Sequence, residues 1–525
     1  MEVEGRPRNS SALALAAICG LLIAYVASLF AGMPQRGTAA VLAHQEHATE
    51  GSTAEQEQHD APQEPIQPPP LYMKLPFLLL LGAIAVFPLV GRISHWWEHN
   101  LNKFLVAVGL ALITLFYYAL FHEHDVAGHF PAHYVMSPVA GGPNVGTAAT
   151  VLSNAILAEF IPFIVLLFSL YTITGGIRLE GDLPAHSVTN TTFLAIGGVL
   201  ASIIGTTGAA MLLVRPLLET NRERKHVKHT VIFFIFIVCN CGGLLLPTGD
   251  PPLFLGYLMG VPFLFTLSLW KEWLFINGCL LAIYFVWDHF FCYPHETKSD
   301  VARDETEVRP LKMQGLMPNA LLLLGVVATA GLLDPSKPLV GTTWHPWVYL
   351  RELIQLALVA VSLAAGSRAV RQANNFNFGA ILEVAALFIG IFVCMQPSLQ
   401  ILDASGPKLG LTEPWHFFWA AGTLSSFLDN APTYVVFFEA ARSVTSNSHL
   451  TPTVATTGVY VSYLIAISLG AVLMGANTYI GNGPNFMVKT IAESSGVKMP
   501  SFFGYMIYSI AILIPLFIIT GILFL

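Results

Sequence analysis

The chain is short of charge. Only 11% of its 525 residues are Asp, Glu, Lys or Arg, while 54% are hydrophobic. A soluble domain carries about 25% charged residues, so this chain lacks the material for a water-facing surface. That shortage excludes a soluble enzyme, a nucleic-acid-binding module and a disordered scaffold. Cysteine is scarce as well: Cys19, Cys239, Cys241, Cys279, Cys292 and Cys394 are the full set, and all lie in or beside apolar runs. Cys-x-x-Cys and Cys/His zinc spacings are absent, and Cys239 and Cys241 stand too close for an ordinary disulfide. The six read as small hydrophobic packing residues. No cofactor and no metal beyond a transported cation is expected. The net charge of −7 says little about partners, because in a membrane chain the placement of charge outweighs its sum.

What the chain has in quantity is long apolar runs. From Lys74 onward, runs able to cross a bilayer core of about 30 Å fall near 74–92, 101–121, 155–176, 230–269, 271–292, 316–333, 347–366, 378–398, 454–492 and 501–525. The runs at 230–269 and 454–492 are interrupted. Two further stretches, 191–214 and 414–440, are broken by Gly-Thr-Thr-Gly and Asp-Asn-Ala-Pro. Each reads as a re-entrant hairpin, a backbone tolerated at membrane depth only when buried in protein or lining a cavity.

Ahead of these spans, residues 1–43 carry Arg6 and Arg8, an apolar run from Ala12 to Leu29 and the small-residue stretch Thr38–Ala43. They read as a signal peptide or as an extra transmembrane helix. Residues 44–70 are polar, low in complexity and end in prolines, which predicts a disordered tether.

Positive charge orients the spans. With Arg92 and Lys103 on the cytoplasmic side, alternation adds Arg178, Arg215, Arg222, Arg224, Lys225, Lys228, Lys298, Arg303, Arg309, Lys312, Arg368, Arg371, Lys489 and Lys498, 16 in all. The other side receives 7: Arg36, Lys74, Lys271, Lys337, Arg351, Lys408 and Arg442. This positive-inside bias places the N-terminal tether and the C-terminus outside the cytoplasm. The expected setting is a bacterial inner membrane, with lipid as the surrounding partner.

The chain also repeats. At an offset of 224, Glu159 falls on Glu383 and residues 200–210 fall on 424–434; after a nine-residue slip, 246–254 falls on 479–487. Each half, 71–294 and 316–525, then has five spans plus a hairpin, an odd count that inverts the second half. The acidic stretch 295–315 joins them. The predicted fold is therefore an all-α polytopic membrane protein of two inverted repeats, each with five transmembrane helices and a re-entrant hairpin, and with interrupted helices at the midplane. That pattern is the signature of a secondary transporter, not of an enzyme.

Acids at membrane depth are functional candidates by default. Asp250 sits in Pro-Thr-Gly-Asp-Pro-Pro beside Gly249, and Asp429 sits in Leu-Asp-Asn-Ala-Pro ahead of Asn430. For both, the structural alternative is a helix cap or an internal hydrogen bond. Thr206 and Thr207 mirror Asn430 and Ala431, while Asn477, Thr478, Asn482 and Asn485 surround the second break. Carboxylate, amide, hydroxyl and unwound carbonyl oxygens are what a small hard cation needs. Asn477 and Asn485 are equally suited to forming tight turns. A desolvated carboxylate also holds its proton more firmly, so that protons and sodium compete for one site. Glu159 and Glu383 are symmetric and read either as partners of a basic residue or as a proton relay. Glu439 precedes Arg442 at helical spacing, which predicts a local ion pair. The stretch His122-Glu123-His124-Asp125, with His129 and His133, has no fixed ligand spacing and reads as a solvated loop.

At GGLLLPTGDPPLFLGY (242–257), SSFLDNAPTYVVFFE (425–439) and GANTYIGNGPNF (475–486) the chain resembles the ion transporter superfamily. That group includes arsenite permeases, citrate transporters, dicarboxylate/sodium symporters and NhaD-type sodium/proton antiporters. The resemblance covers about residues 72–525 and is strongest to the branch labelled putative citrate transport or sodium:proton antiporter. It implies two opposed hairpins whose tips meet the helix breaks at the substrate site, elevator-like alternation and a homodimer. Dicarboxylate symporters carry Ser-Asn-Thr at both tips. Here the tips read Gly205-Thr206-Thr207 and Asp429-Asn430-Ala431, so that signature is absent. An acid at the second tip favours a cation, and the expected function is sodium/proton antiport. A citrate-like anion or arsenite on the same scaffold is the alternative, with the acids holding a coupling cation.

Overall fold

The computed structural model describes residues 10–54, 67–139, 142–306, 308–405, 409–448, 450 and 457–525. Among these the chain is predominantly helical, and its strands form two two-stranded ribbons. Eight helices are long and apolar enough to cross a membrane: Ser11–Phe30, Asn100–Leu120, Val145–Thr174, Ser187–Ile204, Lys228–Leu245, Phe265–His295, Gly379–Ser405 and Phe502–Phe524. Leu316–Leu332 and Val461–Asn477 are shorter apolar helices, and Leu350–Ala365 fills the run expected at 347–366. Each run predicted to be apolar carries helix among the described residues, and Ser187–Ile204 is itself long enough to span where half a hairpin was expected. The run at 74–92 does not stay straight. Its helix ends at Val86 ahead of Pro88, and Gly91–Trp97 leaves at 106° to it, because proline cannot continue the hydrogen-bond ladder.

The chain forms two compact units. The first holds Met1–Ser169, Leu324–Ala365 and Asn377–Ala404, and the second holds Leu170–Leu323, Gly366–Phe376 and Ser405–Leu525. Both units draw on both expected repeats, so a cut at residue 295–315 separates neither.

In the first unit, helix Ser10–Phe30 is held at Val348, whose carbonyl accepts from Tyr25 OH at 2.9 Å. Thr38 donates to the Pro346 carbonyl at 3.2 Å and accepts from the Val348 amide at 3.1 Å. Helix Met33–Ala54 continues into the stretch expected to be an unstructured tether; Ala43, Gln45, Glu46, Ala48 and Glu50 are adequate helix formers. Residues 55–66 of that tether lie outside the described residues. The core is aromatic, with Phe163 stacked on Phe388 at 4.8 Å and edge-on to Phe392 at 5.6 Å. The histidine stretch is more ordered than a solvated loop. Val126–Gly128 pairs with Tyr134–Met136, and His122 is buried beside Tyr117 and Tyr118.

In the second unit, the acidic joint is not a bare linker. It contains helix Lys298–Thr306, and its strand Arg309–Gln314 pairs antiparallel with Arg178–Asp182. Helix Thr206–Thr220 packs against strand Arg178–Asp182 of this ribbon, and the same unit holds the two broken helices and the two helix–turn–helix elements that build the site.

Candidate functional site

Two helices in the second unit stop mid-course in the same way. Lys228–Ile237 gives way to a 3-10 turn at Cys241–Leu245, and a new helix begins at Pro251 with Asp250 as its N-cap residue. Val461–Met474 gives way to a 3-10 turn at Gly475–Asn477, and Gly483–Ser494 begins after Asn482. Asp250 has φ −142°, ψ 140° and Asn482 φ −149°, ψ 139°, so the two cap positions have the same conformation. A side chain at Gly249 would stand 2.2 Å from the Gly243 carbonyl oxygen, and one at Gly481 would stand 2.6 Å from that of Gly475. Both breaks are therefore closed by glycine on glycine. These matches pair Asp250 with Asn482, which corrects the slip between the halves from nine residues to eight.

The tips of the two helix–turn–helix elements meet these breaks. Ser187–Ile204 turns at Gly205, whose φ of +85° suits glycine, into Thr206–Thr220. Pro414–Phe427 turns at Leu428 and Asp429 into Asn430–Asn447. Ser202 donates to the Gly242 carbonyl and Ser426 donates to that of Met474, the latter at 3.1 Å. Each tip is thus tied to the carbonyls its neighbouring break sets free. The Thr206 amide donates to the Gly249 carbonyl at 2.8 Å.

Asp250 lies at the centre and is 1% exposed. Its Oδ1 accepts from Thr206 Oγ1 at 3.1 Å and from Asn482 Nδ2 at 3.1 Å, and its Oδ2 accepts from Asn430 Nδ2 at 2.5 Å. Thr206 and Asn430 are mates at the 224 offset, so both tips and the opposite break converge on one carboxylate. Among the described residues no basic side chain pairs with it. The field there comes instead from four helix N-termini, at Thr206, Asn430, Pro251 and Gly483, each equivalent to roughly half a positive charge. Two buried amide oxygens, Asn430 Oδ1 and Asn477 Oδ1, have no hydrogen-bond partner among the described residues.

Asp429 is partly exposed and caps its own helix, accepting from the Ala431 amide at 3.1 Å. Thr207 is partly buried and makes no side-chain hydrogen bond among the described residues. Asn477 donates to Ser426 Oγ at 2.9 Å, and Thr478 Oγ1 donates to the Ser426 carbonyl at 2.5 Å. Asn485 braces the second break, donating to the Gly475 and Thr478 carbonyls at 2.9 Å each and accepting from Asn240 Nδ2 at 2.8 Å. Glu159 and Glu383 belong to the first unit. Glu159 accepts from Gln396 at 3.1 Å, and Glu383 pairs with the buried Lys103 at 2.6 Å. Glu439 and Arg442 form the expected pair at 2.6 Å.

Sequence reasoning missed Asn240, Ser202 and Ser426, which tie breaks and tips together. The polar pattern Cys-Asn-Cys inside an apolar run was the available signal for Asn240. It also missed a buried ionic network in the same unit. Asp288 accepts from Arg224 through both carboxylate oxygens, at 2.5 and 3.1 Å, and lies 2.8 Å from His229 Nε2. Glu296 accepts the amides of Lys225 and His226 at 3.0 and 2.9 Å.

Residues 67–525 match the model of a protein family described as putative citrate transport. No curated protein matches the chain.

Proposed function

Since the chain belongs to that transporter family and is an integral multi-pass membrane protein, we propose that it is a secondary active cation/proton antiporter centred on Asp250. The observation that carries this reading is the composition of the cluster. A carboxylate with no basic partner among the described residues is held by the neutral donors Thr206, Asn482 and Asn430, and Asn430 keeps an amide oxygen without a hydrogen-bond partner among those residues. An uncompensated buried charge costs about 3–5 kcal/mol, so Asp250 gains by holding either a proton or a small cation. Competition between the two for one carboxylate is the physical minimum for antiport. Asp250, Asn430 and Asn477 are the proposed oxygen donors to sodium, with Thr206 and Asn482 orienting the carboxylate. In this reading the two helix–turn–helix elements are re-entrant hairpins, and the matching breaks belong to inverted repeats.

A second reading is transport of a citrate-like anion, favoured by the family description and by the four helix N-termini. Asp250 and Asp429 already place two negative charges in that field, so an incoming carboxylate would need cations to accompany it. In that case Asp250 holds the coupling ion.

Everted membrane vesicles with an imposed pH gradient separate the two. Under antiport, sodium or lithium collapses the gradient with the unmodified chain and fails with Asp250→Asn. If cations leave the gradient intact while labelled citrate accumulates in a sodium-dependent manner, the antiport reading is wrong.

A further inference from the structure

The second unit contains a cavity of about 1120 Å³ whose lining includes nine Lys or Arg and two Glu. Four of the bases are engaged, Lys225 among them. Arg178 pairs with Glu180 at 2.6 Å, Arg309 lies 3.4 Å from Glu219 and 3.5 Å from Asp182, and Arg224 is held by Asp288. Both lining acids are thereby taken, and Glu180 also accepts from Gln314 at 2.7 Å. Five lining bases, Arg215, Arg222, Lys228, Lys312 and Lys498, have no ion pair among the described residues. They come from four places in the sequence: the end of helix Thr206–Thr220, the start of Lys228–Ile237, the ribbon strand Arg309–Gln314 and the segment after Gly483–Ser494.

Surface lysines and arginines normally scatter or alternate with acids, which relieves their mutual repulsion. Here five like charges from separate segments face one concavity large enough for a drug-sized ligand. The two guanidinium groups present planar forks suited to carboxylate or phosphate oxygens, and the three ammonium groups add compact charge. This site differs from the Asp250 cluster. Along helix Thr206–Thr220, Thr206 touches Asp250 while Arg215 lines the cavity, a separation of about 14 Å at the ordinary helical rise.

We propose that this basic cavity is a binding site for a multivalent oxyanion, supplied either as a soluble polycarboxylate or polyphosphate or as the headgroup of an anionic phospholipid. The site is independent of which species the Asp250 cluster carries. Loading it neutralises the repulsion among the five bases, so the bound anion stabilises the second unit.

The test uses the purified full chain, in detergent and in nanodiscs. Thermal unfolding is followed with citrate, tripolyphosphate or chloride at matched ionic strength, and with cardiolipin against phosphatidylcholine. Citrate or tripolyphosphate should raise the unfolding temperature beyond the chloride control, or cardiolipin beyond phosphatidylcholine, and which of them does so identifies the source. The affinity should fall at least about ten-fold in Arg215→Gln/Arg222→Gln, since two charge-assisted contacts to the anion are lost. Lys312→Gln/Lys498→Gln, on different segments, repeats the measurement should the first pair fold poorly. Asp250→Asn should retain full anion binding even where transport is lost. Equal stabilisation by chloride and every polyanion, or unchanged affinity in both double variants, would overturn the proposal.

Discussion

Two carboxylates are buried in the same unit and treated oppositely. Asp288 is 0% exposed and meets Arg224 through both oxygens, with His229 at its side; Asp250 is 1% exposed and meets only Thr206, Asn430 and Asn482. Burial is the same, but the compensation is not. Asp288 has its countercharge built in covalently connected form, so its pairing ties residues 64 positions apart in sequence and serves the fold. Asp250 has donors that fix its geometry without cancelling its charge. A protein that keeps such a group has left the countercharge to be supplied by something that comes and goes.

Substitution should separate the two carboxylates sharply. Asp250→Asn removes the charge and keeps the shape, so cation-driven collapse of a pH gradient should fall at least about 100-fold, with the unfolding temperature changed little or raised. Asp288→Asn strands Arg224 in a buried site, at a cost of about 3–5 kcal/mol. Its signature is a large loss of thermal stability in detergent, with transport per folded molecule retained. If Asp288→Asn kept stability and lost transport, the contrast between the two would collapse.

Smaller effects sharpen the picture. Asn430→Ala or Asn482→Ala removes one hydrogen bond to the Asp250 carboxylate, and the half-saturating cation concentration should rise about ten-fold. Asp429→Asn keeps a good N-cap residue, so fold and turnover should persist with only a few-fold change in apparent affinity. A loss as complete as that of Asp250→Asn would move the centre of the site to the hairpin tip.

The smallest expected effects are in pH dependence outside the spans. Burial alone would raise the Glu296 carboxyl, but the Lys225 and His226 amides and the Arg224 charge outweigh it and hold it below its ordinary value of 4.5. Its folded form is therefore the poorer proton binder. The stability it contributes is present above about pH 4.5 and is lost as pH falls through the lowered value. His122 behaves likewise from a different cause. Burial, with His124 adding to it, lowers its imidazole from 6.5 to about 4, so protonation of the unfolded chain erodes stability between those values as pH falls. Thermal unfolding across about pH 2–8 of Glu296→Gln and His122→Asn, against the unmodified chain, should show each slope flattened in its own window.

Much of this was legible in the residues. Glycine, proline and an acid within an apolar run mark a broken helix, because each weakens the ladder for a separate reason, and that singled out Asp250, Thr206, Asn430 and Asn482, which the structure brings into hydrogen-bond contact. The match to one another was off by a residue, since Gly-Asp-Pro-Pro and Gly-Asn-Gly-Pro align by letters in one register and by close glycine contact in another. The pairing of Asp288 with Arg224 was not legible, because nothing local marks a contact made across 64 residues. The same holds for Lys103 with Glu383. The five charges of the 215–228 stretch were read as a topology signal; that they line a cavity with Lys312 and Lys498 depends on a ribbon that no apolar periodicity announces. Nor does the order of spans reveal that each compact unit takes part of both expected repeats.

The most direct test of the Asp250 account is isothermal titration of sodium into the purified chain at several pH values, in buffers of different ionisation enthalpy. The account predicts that sodium binding displaces a proton near neutral pH, that affinity weakens as pH falls, and that both the heat and the proton release vanish in Asp250→Asn. Sodium binding of unchanged affinity in Asp250→Asn, or binding without proton release at every pH, would contradict it.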